Sequence, residues 1–265
     1  MKLLRYFKFC GMLLKFKLSR QMVYGFNFWA AFFVDLTVFL IQIAVFSAIF
    51  LQVDTINGWN RYQMIFFVGT FTIIDSLYMA TYFFGVIGIP EKVQSGKLDI
   101  YLTKPVNPLF LVSFENMDFG SLLLTIPGMM MIGYSVVNLG ITLSLPKIIG
   151  YLALLIMMLI LMYDLMVLVR SAAFWFTSIN SLQEFENEMV YFSFRIPGVV
   201  FKGFTKLVFY IILPYGLMAT IPTQFFTGLL DMKGWLMTIA VCGVFTYISQ
   251  FVWRKGLARY ASASS

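Results

Sequence analysis

Long apolar stretches, broken only by short polar connectors, run through almost the whole chain. Hydrophobic residues make up 60% of the 265 positions and charged residues only 12%. A water-soluble chain of this length cannot bury that much apolar surface, so lipid must solvate most of it. Backbone amides in lipid have to bond internally, which favours helices over open sheets. The fold class that follows is all-α: a polytopic integral membrane protein with six transmembrane helices and no second folded unit.

Five spans stand out, at 26–51, 62–87, 114–139, 148–173 and 232–253. Each is roughly 22–26 residues, enough to cross ~30 Å of hydrocarbon with some tilt. Between the fourth and the last of these the reading divides. Segment 205–223 is apolar enough to span, yet Pro214, Gly216 and Pro222 interrupt it. Segment 179–199 is rich in aromatics but carries Glu184, Glu186 and Glu188. Either 205–223 crosses and the Glu-rich stretch is cytoplasmic, or 179–199 crosses and 206–223 dips into the outer leaflet and returns. Hydropathy favours the first.

The first twenty residues carry Lys2, Arg5, Lys8, Lys15, Lys17 and Arg20 and no acid. Leu3, Phe7, Cys10 and Leu14 fall on one helical face and Arg5, Lys8 and Lys15 on the other. Residues 1–25 therefore read as an amphipathic interfacial helix and elbow. Further basic residues gather after the second span (Lys92, Lys97, Lys104) and after the last (Arg254, Lys255, Arg259), whereas the intervening short connectors hold Arg61 and Lys147. The positive-inside rule places both termini and the 88–113 connector in the cytoplasm, with 254–265 as a cytoplasmic tail behind the 26–253 membrane domain. The net charge of +7 is orientation charge and attraction to anionic lipid, not a signature of nucleic-acid binding.

Several chemistries are disfavoured. Histidine is absent, which removes the commonest general base and metal ligand. Cys10 and Cys242 stand at opposite ends of the chain and form no metal-type cluster. Gly96-Lys97-Leu98 lacks the upstream glycine and following hydroxyl of a phosphate-cradling loop. No catalytic residue, cofactor or metal is expected in this chain.

Four carboxylates lie in or beside the first four spans: Asp35, Asp75, Asp118 and Asp164. A charge in lipid costs roughly 2.5–3.5 kcal/mol on insertion scales, so these side chains must face helices, water or a cation. Arg170 lies at a depth similar to Asp164. The group reads as interhelical polar packing or as the lining of a substrate or proton path.

The richest connector is Pro90 to Pro108. Pro90 suits a helix start and Gly96 a helix end, and Lys104-Pro105 and Asn107-Pro108 impose extended or turn geometry. Leu98, Ile100, Tyr101 and Leu102 want a partner surface rather than water.

The run Gly96-Lys97-Leu98-Asp99-Ile100-Tyr101-Leu102-Thr103-Lys104-Pro105-Val106-Asn107-Pro108-Leu109-Phe110 resembles the signature G-x-L-D-x-x-L-x-[RK]-P-x-[NS]-P-L-[FY] of one branch of the type-2 ATP-binding-cassette (ABC) exporter permeases. Phe174-Trp175, Arg195, Pro197, Phe201, Pro214 and Pro222 are similar to a second patch of that branch. Trp253-Arg254-Lys255-Gly256-Leu257-Ala258-Arg259-Tyr260 resembles its W-x-x-G-x-x-x-Y close. Ile196 departs from the aromatic that often precedes the proline.

The resemblance implies a six-span permease subunit of a bacterial plasma-membrane exporter, multi-pass, with cytoplasmic termini. It implies a coupling helix within 90–103 that docks on a cytosolic ABC ATPase dimer through Glu91, Lys92, Lys97, Leu98, Asp99, Tyr101, Leu102 and Lys104. ATP and Mg²⁺ would bind in that partner. A second permease subunit, identical or paralogous, would complete the path, since six spans enclose none alone. The resemblance also favours the re-entrant topology, which brings Glu184 and Glu188 onto one face of the fifth span. Asp35, Asp75, Asp118, Asp164, Arg170, Glu184 and Glu188 are the candidate pathway or interhelical polar residues. Rival readings are an ion-coupled secondary transporter using the intramembrane aspartates and a membrane-embedded lipid-modifying enzyme. The first lacks visible inverted-repeat symmetry, and the second lacks a nucleophile–base constellation.

Overall fold

The computed structural model describes residues 25–263. The amphipathic helix expected over 1–25 lies outside the described residues, apart from Gly25. Among those described, the elements are all helical. They are α1 (Gly25–Ile49), α2 (Arg61–Gln94), α3 (Asp99–Leu102), α4 (Pro108–Phe114), α5 (Gly120–Asn138), α6 (Leu145–Phe174), α7 (Asn180–Arg195), α8 (Gly203–Ile212), α9 (Pro214–Phe226) and α10 (Met232–Ala263). Five of them, α1, α2, α5, α6 and α10, are long and apolar enough to cross a membrane.

The bundle is organised around α2. Its most apolar window is 78% buried, against 12% for α1 at the rim. The Asn60 side chain starts α2 by accepting from the Tyr62 and Gln63 amides, both at 3.0 Å, while Gln63 accepts from the Asn60 amide at 2.9 Å. This reciprocal capping satisfies amides that a helix start leaves free. Midway, Gly69 lies against α5 so closely that a Cβ there would meet the Gly128 carbonyl oxygen at 2.8 Å. Two glycines facing each other let the backbones approach, the usual way helices pack tightly in lipid.

Lower on α2 a π-helical turn, Met79–Phe83, interrupts the α-helical bonding. The Asp118 amide donates to the Ala80 carbonyl within it (3.1 Å). Just beyond, a Cβ on Gly85 would stand 2.1 Å from the Ser113 carbonyl oxygen, so α2 and α4 meet backbone to backbone.

The third span begins later than expected. The chain is not helical from Asn116 to Asp118. The Asp118 carboxylate there accepts from the Gly120 amide (3.2 Å) and the Ser121 hydroxyl (2.7 Å). This polar turn precedes a new helix start, and the apolar run upstream belongs to α4.

The division between α6 and α10 resolves through tethers at its ends. The end of the bundle that holds the 88–113 connector is the connector end, and the opposite one the far end. At the start of α7, the Gln94 side-chain amide donates to the Thr177 carbonyl (2.8 Å), which fixes that start at the connector end. Past its close, the Asn57 side-chain amide donates to the Val199 carbonyl. Asn57 sits in the turn between α1 and α2, so α7 traverses the bundle.

α8 and α9 are bent by 88° and return to the end they left. Phe226 at the close of α9 packs on Phe66 and Tyr151 (ring centroids 5.0 and 5.3 Å apart). Phe225 packs on Trp235 at 5.3 Å. Those partners belong to the far-end portions of α2, α6 and α10. The apolar segment favoured by hydropathy as a span is therefore a hairpin, and α7 runs the length of the bundle.

Candidate functional site

Two regions gather the chain's polar chemistry: a cavity between α1, α2, α6 and α7, and the surface at the connector end.

The cavity measures about 700 Å³. Its mouth lies between α1 and α7, where Val34, Val38, Ile41 and Val45 face outward on one side and Tyr191 and Arg195 on the other. Its deeper wall is polar. Tyr78 hydrogen-bonds to Asp75, and Arg170 of α6 pairs with Glu186 of α7. Both partners of this pair are almost fully buried, with side chains 3% and 2% exposed. A buried ion pair adds little net stability, but removing one partner strands a charge. The pair thus fixes α7 against α6.

The glutamates of α7 divide between two faces. Glu184 and Glu188 share a face, as their spacing requires, but both are exposed. The face turned inward is Glu186, Val190 and Ser193, spaced i, i+4, i+7.

The other intramembrane carboxylates are dispersed. Asp164 is buried and accepts from the Thr246 hydroxyl of α10 at 2.6 Å. Asp118 lies just before α5 and accepts from its first amide, that of Gly120. Asp35 lies in α1, and its side chain is outside the described part of the structure. Among the candidate residues whose side chains are described, Asp75 and Arg170 line the cavity.

At the connector end, Gly96 adopts φ +74° and closes the helix, and the Leu98 amide reaches back to the Lys92 carbonyl (3.1 Å). Asn107 then caps α4, accepting from the Leu109 and Phe110 amides at 2.9 and 3.3 Å, with Pro108 at the first helical position, where it lacks no needed amide. The Lys-Pro-Val-Asn-Pro run is thus a bend followed by a helix start.

Leu98 is fully buried within the chain and cannot reach a partner. It anchors the connector, because the tight Gly96 turn folds the next apolar side chain inward. The outward apolar residues are Ile100, 60% exposed, and Leu102, 37%. Tyr101 is also turned inward, and its hydroxyl donates to Glu115. Lys92 bridges to the same carboxylate at 2.5 Å, and Lys104 lies over the Tyr101 ring, 5.1 Å from its centroid. Burial and the Glu115 carboxylate together raise the Tyr101 pKa, so the phenol stays protonated. Glu115, the hub of this cluster, is masked in the sequence by the apolar residues around it. Glu91 and Lys97 pair with each other on the surface (2.8 Å), which raises the Lys97 pKa.

Phe174 of the second sequence patch meets the connector and the W-x-x-G-x-x-x-Y close at this end. Phe174, at the close of α6, is flanked by Trp253 and Tyr260 of α10, with ring centroids 5.3 and 6.2 Å away. Gly256 lies between them, and a Cβ there would fall 2.1 Å from the Phe174 ring. The W-x-x-G-x-x-x-Y spacing is therefore a socket for one phenylalanine. Tyr260 also hydrogen-bonds to Asp99 of the connector. Residues 254–263, expected as a tail, continue α10 as helix.

Among the described residues no group of acids and cysteines could hold a metal ion. Comparison with known proteins finds no curated protein and no solved structure that matches. A family model described as "ABC-2 family transporter protein" matches residues 36–264, a stretch that contains the connector, the Phe174 socket and all of the cavity lining but Val34. The chain therefore belongs to the ABC-2 transporter family.

Proposed function

We propose that the chain is the permease subunit of an ABC exporter, working with a second permease subunit and driven by separate cytosolic ATPase subunits that bind ATP and Mg²⁺. The observation that carries this reading is the outer face of α7. Glu184, Glu188, Tyr191 and Arg195 follow one another at i, i+4, i+7 and i+11 and are all exposed. A crossing helix cannot present such a face to hydrocarbon at roughly 2.5–3.5 kcal/mol per charge near the bilayer centre. A second subunit or a water-filled path has to cover it, and the cavity opens on the same side. Export direction, cytoplasmic termini and a bacterial plasma membrane belong to the same proposal, with the connector end facing the ATPase. ATP binding would draw the ATPase subunits together, move the connectors and shift the spans around the shared path.

The test is co-purification. An ATPase with a phosphate loop should accompany the full-length subunit and hydrolyse ATP. Ile100→Asp with Leu102→Asp should abolish its capture without impairing membrane insertion, since burying each apolar side chain is worth ~1.5–3 kcal/mol. Undiminished capture would overturn the docking assignment. ATP turnover by the subunit stripped of every partner would overturn the division of labour.

A further inference from the structure

The Phe174 socket joins three routes into the membrane. Phe174 ends α6, Trp253, Gly256 and Tyr260 belong to α10, and Asp99 belongs to the connector that ends α2. The Gln94–Thr177 bond closes the loop by tying the last turn of α2 to the segment behind Phe174. These contacts leave little slack. The ring lies directly on the backbone of α10 at Gly256. Trp253 and Tyr260, about 10 Å apart along the axis at ~1.5 Å per residue, bracket it. Sliding α10 past Phe174 in either direction drives an aromatic ring into another.

The helices leaving the socket differ in stiffness. α2 contains the π turn at Met79–Phe83, a common site of bending. The chain entering α5 is broken at Asn116–Asp118. α10 is 32 residues of uninterrupted helix, about 48 Å long at ~1.5 Å per residue. It is also bonded to α6 through Thr246 and Asp164.

We propose that Phe174, Gly256 and Tyr260 form a latch through which displacement of the connector passes to α10, so that the last span is driven together with α6 and the part of α2 on the connector side of its π turn. All three are positioning residues. The proposal rests on the reading that an ATPase moves the connector. Its distinct content is that the push reaches the far end of α10 through this socket, bypassing the bend in α2.

The test uses the complex of the full-length subunit with its ATPase in lipid nanodiscs. Spin labels are placed at Thr55→Cys, in the α1–α2 turn, and Leu236→Cys, near the far end of α10, with Cys10 and Cys242 replaced by alanine. The distance between labels is measured without nucleotide and with ATP trapped by vanadate. With the latch intact the distance should shift by several ångströms. In Gly256→Val and in Tyr260→Ala the shift should fall by at least half while ATPase capture and ATP hydrolysis persist. Tyr260→Ala lies in the last turns of α10 and decides alone if Gly256→Val does not accumulate. A shift unchanged in Tyr260→Ala, or no shift with the latch intact, overturns the latch and leaves the functional reading standing. Failure to capture any ATPase overturns both.

Discussion

α7 and the α8–α9 hairpin follow each other in the chain and invert what their compositions suggest. α7 carries three glutamates and an arginine, fails as an apolar span, and still traverses the bundle. α8 and α9 pass the apolar test as a pair, yet turn back on themselves. The difference lies in who satisfies the polar groups. In α7 the awkward charge is met within the protein, Glu186 by Arg170. In the hairpin, Pro214 and Pro222 remove backbone donors, and the bend leaves carbonyls that need cover. That cover is available at the far end. The buried run from Pro214 to Thr223 and the stack of Phe192, Phe201 and Phe209, with neighbouring centroids 5.9 and 4.4 Å apart, enclose the broken backbone. Hydropathy measures the cost of a side chain in lipid, whereas crossing depends on the whole balance, backbone included.

The comparison breaks first at its ion pair. Glu186→Ala strands the buried Arg170 charge and should cost about 3–5 kcal/mol, read as a lower thermal midpoint of the purified subunit. Arg170→Met with Glu186→Met should recover most of the loss. Glu184→Ala, on the exposed face of the same helix, should leave the midpoint unchanged, since surface substitutions usually stay within about 0.5 kcal/mol.

A smaller effect is expected where α7 hands over to the hairpin. A Cβ on Gly198 would lie 2.4 Å from the Gly216 carbonyl oxygen, and the Gly198 amide donates to the Thr220 hydroxyl (2.8 Å). Gly198→Val should cost about 1–3 kcal/mol through overpacking, and limited proteolysis should then cut first within 199–213. Smallest is the tether at the turn. Asn57→Gly keeps the φ of +52° that the turn requires and deletes the bond to Val199. The loss should be about 0.5–1.5 kcal/mol, visible as faster amide exchange at 198–201 with the rest of the exchange map unaltered.

Most of the fold was legible because period and length are coarse signals. The five apolar spans follow from runs of Phe, Leu and Ile, and Asn107-Pro108 and Gly96 mark helix boundaries by their own backbone chemistry. What escaped depends on pairings distant in sequence. Nothing local to Glu186 distinguishes it from Glu184 until Arg170 is placed opposite. Glu115 looks like a stray acid in an apolar run until Lys92 and Tyr101 converge on it. Leu98 was legible as a side chain seeking burial, but whether its partner is this chain or another is decided by the Gly96 turn. The W-x-x-G-x-x-x-Y close was visible as a pattern, and its physical content, a socket for Phe174, needed the third dimension.

The central claim, that α7 crosses and the hairpin returns, has a direct test that does not depend on which side is cytoplasmic. Single cysteines at Thr55, Ser95, Ser181 and Lys202, all exposed positions, are introduced one at a time into a background without Cys10 and Cys242. An impermeant thiol reagent is applied to intact cells and then to opened ones. Lys202→Cys should label from the same side as Thr55→Cys, and Ser181→Cys from the same side as Ser95→Cys. Labelling of Lys202→Cys from the side of Ser95→Cys would contradict the account and make the hairpin the span.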